Sequence, residues 1–217
     1  MASGAKGCGF KSRISRKRII AMEPIILASA SPRRQEILKK LGIPFVVNPA
    51  EIEEDYPSGM SGVQIPEYLA GRKITAVAHK YPANYEIGWI LGADTIVIHR
   101  NRIYGKPKTQ EEAFKFLSEL QGTTHRVITG LALFSGEKHY LSTRTSVNKI
   151  TFAPMTEKEI AWYVGTGEWH GVAGGYRIQG MASCFIKKIE GSESSIMGLP
   201  IFELYDILRE QNYNLID

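Results

Sequence analysis

Cysteine is scarce in this 217-residue chain: Cys8 and Cys184 are the only two, and neither belongs to a CxxC or Cys/His spacing. That excludes a disulfide framework and a zinc finger or ribbon, and it fits a reducing compartment such as the cytoplasm. No apolar run approaches the length of a membrane span, and no secretory leader is visible. The five histidines form no HExxH. Both common phosphate-loop fingerprints are missing, because "GVAGGYRIQG" lacks GxxxxGK[ST] and "GTGEWHG" departs from GxGxxG by one residue. "SASPRR" is not the GxSxG of a nucleophile elbow, and no His and Asp are paired with it.

Acid is absent from one stretch in particular. Residues 1–18 hold six of the 27 Lys and Arg and no Asp or Glu, so the net charge of +5 belongs to the tail and the remaining chain is near neutral. A neutral body is no electrostatic footprint for nucleic acid, which is not expected as a partner. Residues 1–22 read as a basic, disordered extension, with an organelle transit peptide as the second reading. Residues 23–217 read as one domain.

Apolar periodicity orders that body. Residues 25–28 form a strand, a Ser-Ala-Ser turn follows, and a helix over 32–41 stacks Ile37, Leu38 and Leu41, with Ser31 as N-cap, Pro32 first and Gly42 as the stop. "IPFVVNP" is a short strand, "AEIEEDYPSG" an acidic loop, and 63–81 a helix burying Ile65, Leu69, Ala76 and Val77. "WILGADTIVIH" is an apolar strand, and "THRVITGLALF" with "KHYLSTRTSVNKITF" reads as a hairpin around Ser135-Gly136. Thr109 with Glu112 and Thr156 with Glu159 announce two capped helices, the first presenting Phe114, Leu117 and Leu120 to a core. A Gly-rich connection over 165–180, the strand "SCFIKKIEG" holding Cys184, and a helix from Pro200 complete the chain. One antiparallel pair among interleaved helices predicts a mixed α/β sheet with flanking helices, breaking into two lobes near 100–108.

Two places break local rules. Arg33 and Arg34 stand in the first turn of a helix, where the macrodipole already places about half a positive charge. Simple solvation would tolerate this, whereas an anion held by Ser29, Ser31, the helix start and a guanidinium would reverse its sign. Asp94 lies in an apolar strand, where an ionised carboxylate needs a metal, a cation or several donors. A strand-end Asp bonded to a turn is the plainer reading; against it, Gly92 and Ala93 leave room for a ligand to approach. Glu51, Glu53, Glu54 and Asp55 crowd one loop, Lys73 follows Arg72 on a helix, and Lys106 sits in "GKP". Each alone reads as solvated charge; together they supply acids for a divalent ion and bases for a polyphosphate. Gln179 offers an amide that both donates and accepts, suited to a base edge, within what is otherwise a turn-rich connection.

"LASASPRRQEIL", "GADTIV", "GKP", "THRVITG", "GGYRIQG" and "MGLPIFELYDIL" follow one another in the order and spacing of the Maf family of nucleotide pyrophosphatases, once studied as septum-formation inhibitors. The resemblance covers about residues 24–212. It implies a fold similar to the inosine triphosphate pyrophosphatases, an elongated mixed sheet with two lobes around a cleft, and often a homodimer. It implies hydrolysis of nucleoside triphosphates to monophosphate and pyrophosphate with Mg²⁺ or Mn²⁺, water attacking the α-phosphorus. It implies that Asp94 is the catalytic acceptor, that Arg33, Thr95 and Gln179 tune nucleotide choice, and that Glu54 matches a polar cleft position; Asp94 and Glu54 are the expected holders of the metal. Ser29, Ser31, Arg34, Lys73 and Lys106 are the further expected substrate contacts. "GGYRIQG" resembles the branch acting on dTTP and UTP rather than on 7-methyl-GTP, with CTP and modified nucleotides as further expected substrates. The rival reading is a regulator of cell division that binds a nucleotide without cleaving it. The basic extension departs from the family pattern and bears on localisation, cytoplasmic or organellar, rather than on chemistry.

Overall fold

The computed structural model describes residues 22–215; the basic stretch 1–21, with the disorder and targeting readings attached to it, lies outside them. β1 (Ile25–Leu27) and β2 (Phe45–Val47) pair in parallel around α1 (Pro32–Lys40). α1 ends as expected, with the Leu41 N–H returned to the Ile37 carbonyl and Gly42 at φ 68°. α2 (Ile65–Ala78) is shorter than the 63–81 pattern, since Pro66 suits a first turn and Pro82 disfavours helical geometry at Tyr81. Its buried stripe holds Ile74 and, unexpectedly, Lys73, while Ala76 is only half-buried.

β3 (Trp89–His99) spans the whole predicted strand, and β4 (Arg102–Tyr104) turns back against its last three residues. α3 (Gln110–Leu120) buries Ala113, Phe116, Leu117 and Leu120, so Phe116 takes the place expected for Phe114, which packs at the edge. β5 (Thr124–Ser135) and β6 (Tyr140–Phe152) form the predicted hairpin, and α4 (Glu157–Gly165) carries the full Thr156/Glu159 capping box. The α3 box is half-formed: the Thr109 hydroxyl accepts from the Glu112 N–H, but the Glu112 carboxylate turns to the Lys108 N–H. Short 3-10 turns, Ala173–Gly175 and Met181–Phe185, precede β7 (Ile186–Glu190). Cys184 therefore lies in an exposed turn closed by the Ser183 N–H on the Gly180 carbonyl, not in the strand. α5 (Glu193–Ile196) and α6 (Ile201–Glu210) finish the chain.

The result is a mixed α/β fold with strand order β2-β1-β3-β5-β6-β7 and β4 beside β3. β5 pairs with β3 from Trp89 to Ile98. Along the other edge β1 covers Trp89 to Leu91 and β4 covers Val97 to His99, which leaves 92–96 without a strand partner. This notch in the sheet edge contains Asp94 and Thr95.

Side chains alternate across a strand, so the two residues look to opposite faces. On one face α2 covers the sheet, packing Ala70, Ile74 and Val77 on Ile90 and Ala132, and Ile65 and Leu69 on Ile96, Ile98 and Ile128. Gly92 and Gly130 permit that approach: a Cβ would stand 2.3 Å from the Ala70 carbonyl oxygen at Gly92 and 2.1 Å from the Glu67 nitrogen at Gly130. The space beside Gly92 thus belongs to α2, not to a ligand as expected. The other face is divided. α1 and α6 cover Leu91, Ala93, Leu131 and Leu133, whereas α3 and α4 cover Val97 and Val127. Between these two apolar clusters runs a polar seam through Thr95, Thr129, Ser195 and Asn148. The division thus falls inside continuous strands rather than at the 100–108 connection.

Candidate active site

A cavity of about 840 Å³ opens at the notch. Ser29, Ser31, Arg33, Arg34, Glu54, Lys73, Asp94, Thr95, Lys106 and Gln179 all line it, so the structure brings together every site residue expected from the sequence. The neighbouring Asp55 instead meets Arg72 at the surface.

At the floor, Asp94 and Lys73 are 5% and 7% exposed. The Lys73 ammonium donates to Asp94 Oδ1 and, at 3.2 Å, to Glu54 Oε1; Lys106 Nζ lies 3.9 Å from the same Glu54 oxygen. The Asp94 anomaly thus has a partner in the protein, a lysine set into the apolar stripe of α2. Two of the ammonium's three N–H bonds are used, so Lys73 serves the acids before any phosphate. Burial pushes the Glu54 carboxyl up, but Lys73, Lys106 and Arg34 together hold it below its ordinary value.

The two arginines have parted. Arg34 is buried, not solvated, and is satisfied by protein: Nε donates to the Gly198 carbonyl at 2.7 Å, one terminal nitrogen to Ser29 Oγ at 2.7 Å and the other to Thr95 Oγ1 at 3.3 Å. Burial lowers its pKa, with Asp94 opposing and Arg33 adding to the shift. Because the Thr129 hydroxyl donates to the Ser195 carbonyl at 2.7 Å, Thr95 must donate to Thr129 across their 3.0 Å contact and accept from Arg34. Thr95 therefore has no proton left for a ligand, while Ser29, which accepts from Arg34 and from the Ser31 N–H, keeps its own.

Ser31 is not the side-chain cap expected of it; no side chain caps α1, in contrast to Thr109 and Thr156 on α3 and α4. The bare first turn and Ser31 face the cavity. Arg33 reaches across, its guanidinium 3.4 Å from the Gly171 carbonyl. Opposite stands Arg177, a residue sequence reasoning passed over although it is two positions from Gln179 in the quoted "GGYRIQG". It donates to the His170 carbonyl at 3.2 Å, and its own backbone N–H donates to Tyr163 Oη at 3.1 Å. Burial, then repulsion from Arg177, lowers the Arg33 pKa. Tyr176, the tyrosine of "GGYRIQG", is buried, and its hydroxyl meets His125 Nε2 at 2.7 Å, pinning the Gly-rich segment to β5. Gln179 is exposed at the rim.

Oxygen donors suitable for a hard divalent cation are present in Asp94 and Glu54. Among the described residues no three His, Cys, Asp or Glu side chains form a full protein cage. Two carboxylates fit Mg²⁺ or Mn²⁺ nonetheless, because such ions commonly bind one or two carboxylates, water and substrate phosphates.

The model of the family described as Maf-like protein matches residues 24–211. A dTTP/UTP pyrophosphatase of Pelotomaculum thermopropionicum is 40% identical over 195 residues, spanning 90% of this chain and 100% of its own. One of Desulforamulus reducens is 45% identical over 188 residues, spanning 87% and 96%. The solved Ham1 protein of Staphylococcus aureus overlaps 60% of this chain and 72% of its own at 12% identity and a TM-score of 0.40, too slight a likeness to bear on the fold. With the family match running from the residue before β1 to the end of the last helix, the chain belongs to the Maf-like protein family.

Proposed function

We propose that this chain hydrolyses nucleoside triphosphates, dTTP and UTP foremost, to the monophosphate and pyrophosphate. The carrying observation is the pairing of a buried carboxylate, Asp94, with Lys73 at the notch, facing an uncapped helix start and two arginines. The names of the relatives support the same chemistry. On this reading the two apolar clusters are lobes of one domain, and the triphosphate lies across the cleft between them. The α1 amides, Ser29 and Arg33 receive phosphate oxygens, and Lys106 adds charge from the other side. Asp94 orients the attacking water and takes its proton, Lys73 offsets the cost of burying that carboxylate, and Gln179 reads the base. A divalent cation held by Asp94 and Glu54 would neutralise phosphate charge and acidify water. The site of action is the cytoplasm, and the homodimer expected of the family is checked by light scattering.

The test is pyrophosphate release from dTTP, UTP, CTP and GTP with Mn²⁺ or Mg²⁺. Expected is release from dTTP and UTP, falling at least about a hundredfold in Asp94→Asn while nucleotide binding persists. Tight binding with no pyrophosphate would favour the regulator, and full turnover by Asp94→Asn would remove Asp94 as the base. Gln179→Ala is expected to blur base preference more than it weakens binding.

A further inference from the structure

Three arginines border the cleft, and they differ in how well the protein satisfies them. Arg34 spends its guanidinium on three partners and is a structural clamp. Arg33 and Arg177 are the opposite case. Each has one side-chain bond, to adjacent backbone carbonyls, Gly171 at 3.4 Å and His170 at 3.2 Å. Among the described residues neither has a carboxylate within ion-pair distance, and Arg177 Nε is buried with no partner. They are also close enough to repel: burial is the larger cause of the lowered Arg33 pKa, Arg177 lowers it further, and Glu36 opposes both. Like charges brought together on facing walls of a cavity, with a donor left unmet, are unfavourable until an anion stands between them.

We propose that Arg177 joins Arg33 as a two-guanidinium receptor for the β- and γ-phosphates, the part of the substrate that leaves as pyrophosphate. This rests on the triphosphate reading of the cleft. A turn separates Arg177 from the base reader: the Gly180 N–H donates to the Arg177 carbonyl at 3.3 Å, which leaves Gln179 exposed at the rim while Arg177 Nε sinks inward. Arginine suits the task because its planar fork meets phosphate oxygens two at a time.

The probe is inorganic pyrophosphate, with binding followed by calorimetry in the presence of Mg²⁺ and, separately, product inhibition and the KM for dTTP, UTP, CTP and GTP. Arg177→Met is expected to weaken pyrophosphate binding about tenfold or more and to raise KM for all four substrates alike, leaving their order intact, with Arg177→Lys in between. Should Arg177→Met lower the melting temperature, Arg177→Gln carries the comparison, since its amide can keep the bond to the His170 carbonyl without the charge. Unchanged pyrophosphate binding in a variant that melts like wild type overturns the receptor; so does a changed base order with pyrophosphate binding intact, which would make Arg177 a base reader. Calorimetry needs no turnover, so a wild-type protein that binds pyrophosphate yet cleaves no triphosphate sinks the proposed function and leaves the receptor standing.

Discussion

A lysine in the apolar stripe of a helix is tolerable only if a carboxylate meets it, and Lys73 meets two. Removing one partner of a buried pair leaves an uncompensated charge, so Lys73→Met is expected to cost about 3–5 kcal/mol, read as a lower urea midpoint. Adding Asp94→Leu should recover most of that loss, since the buried charge goes with it, and if the double variant is less stable than Lys73→Met, the pair is not what sets the cost. His125 gives a pH signature. Burial, with His99 nearby, lowers its pKa from 6.5 to about 3. The unfolded chain therefore takes up a proton that the folded protein refuses between those values. Its contribution is complete above pH 6.5 and is lost as pH falls toward 3, by at most about 1.4 kcal/mol per unit. Urea titrations from pH 7 to 4 should show that slope reduced in His125→Gln; an equal slope would assign the acid sensitivity to other groups. At this scale the sequence exposed Asp94 and the stacked arginines as anomalies. It did not say which guanidinium turns inward, because the Arg34 partners at Thr95 and Gly198 are set by pairings far along the chain.

Elements were legible where their signals are local. β3, the hairpin, Gly42 and the Thr156 cap depend on neighbouring residues and stand where the pattern put them. Cys184 and the notch were not legible: the turn ahead of β7 depends on Gly180, and the gap at 92–96 arises because β1 and β4, distant in sequence, both stop short on one edge of β3. Capping makes the contrast between elements measurable. Thr156→Ala is expected to cost about 1 kcal/mol, whereas Ser31→Ala, which removes no side-chain cap bond, should leave the melting temperature nearly unchanged. A loss at Ser31 as large as at Thr156 would mean that α1 is capped after all. Gly130→Ala drives a methyl against the α2 backbone, an overpacking expected to cost about 3 kcal/mol or more because backbone cannot swing aside as a side-chain tip can.

Across the whole molecule, the site exists because β3 and β5 run unbroken through both apolar clusters while the elements around them do not. The edges of the sheet are guarded: β2 is three residues long with Pro44 and Pro49 nearby, and β7 carries Lys187 and Lys188. The notch is an interruption beside β3 that the fold turns into a cavity, with Ser29 to Arg34 on one wall and Glu168 to Gly180 on the other. A triphosphate bound across it must tie those walls together, and it binds the folded state alone. A non-hydrolysable triphosphate analogue with Mg²⁺ at about 100 times its Kd should add about 2.7 kcal/mol, a melting shift of about 5–10 °C for a chain of this length. Hydrogen exchange should slow at residues 29–34 and 171–180 together, and the protection should shrink in both when Mg²⁺ is withheld. Protection confined to one wall would place the ligand outside the notch, and the Asp94 and Lys73 pair would then need a purely structural explanation.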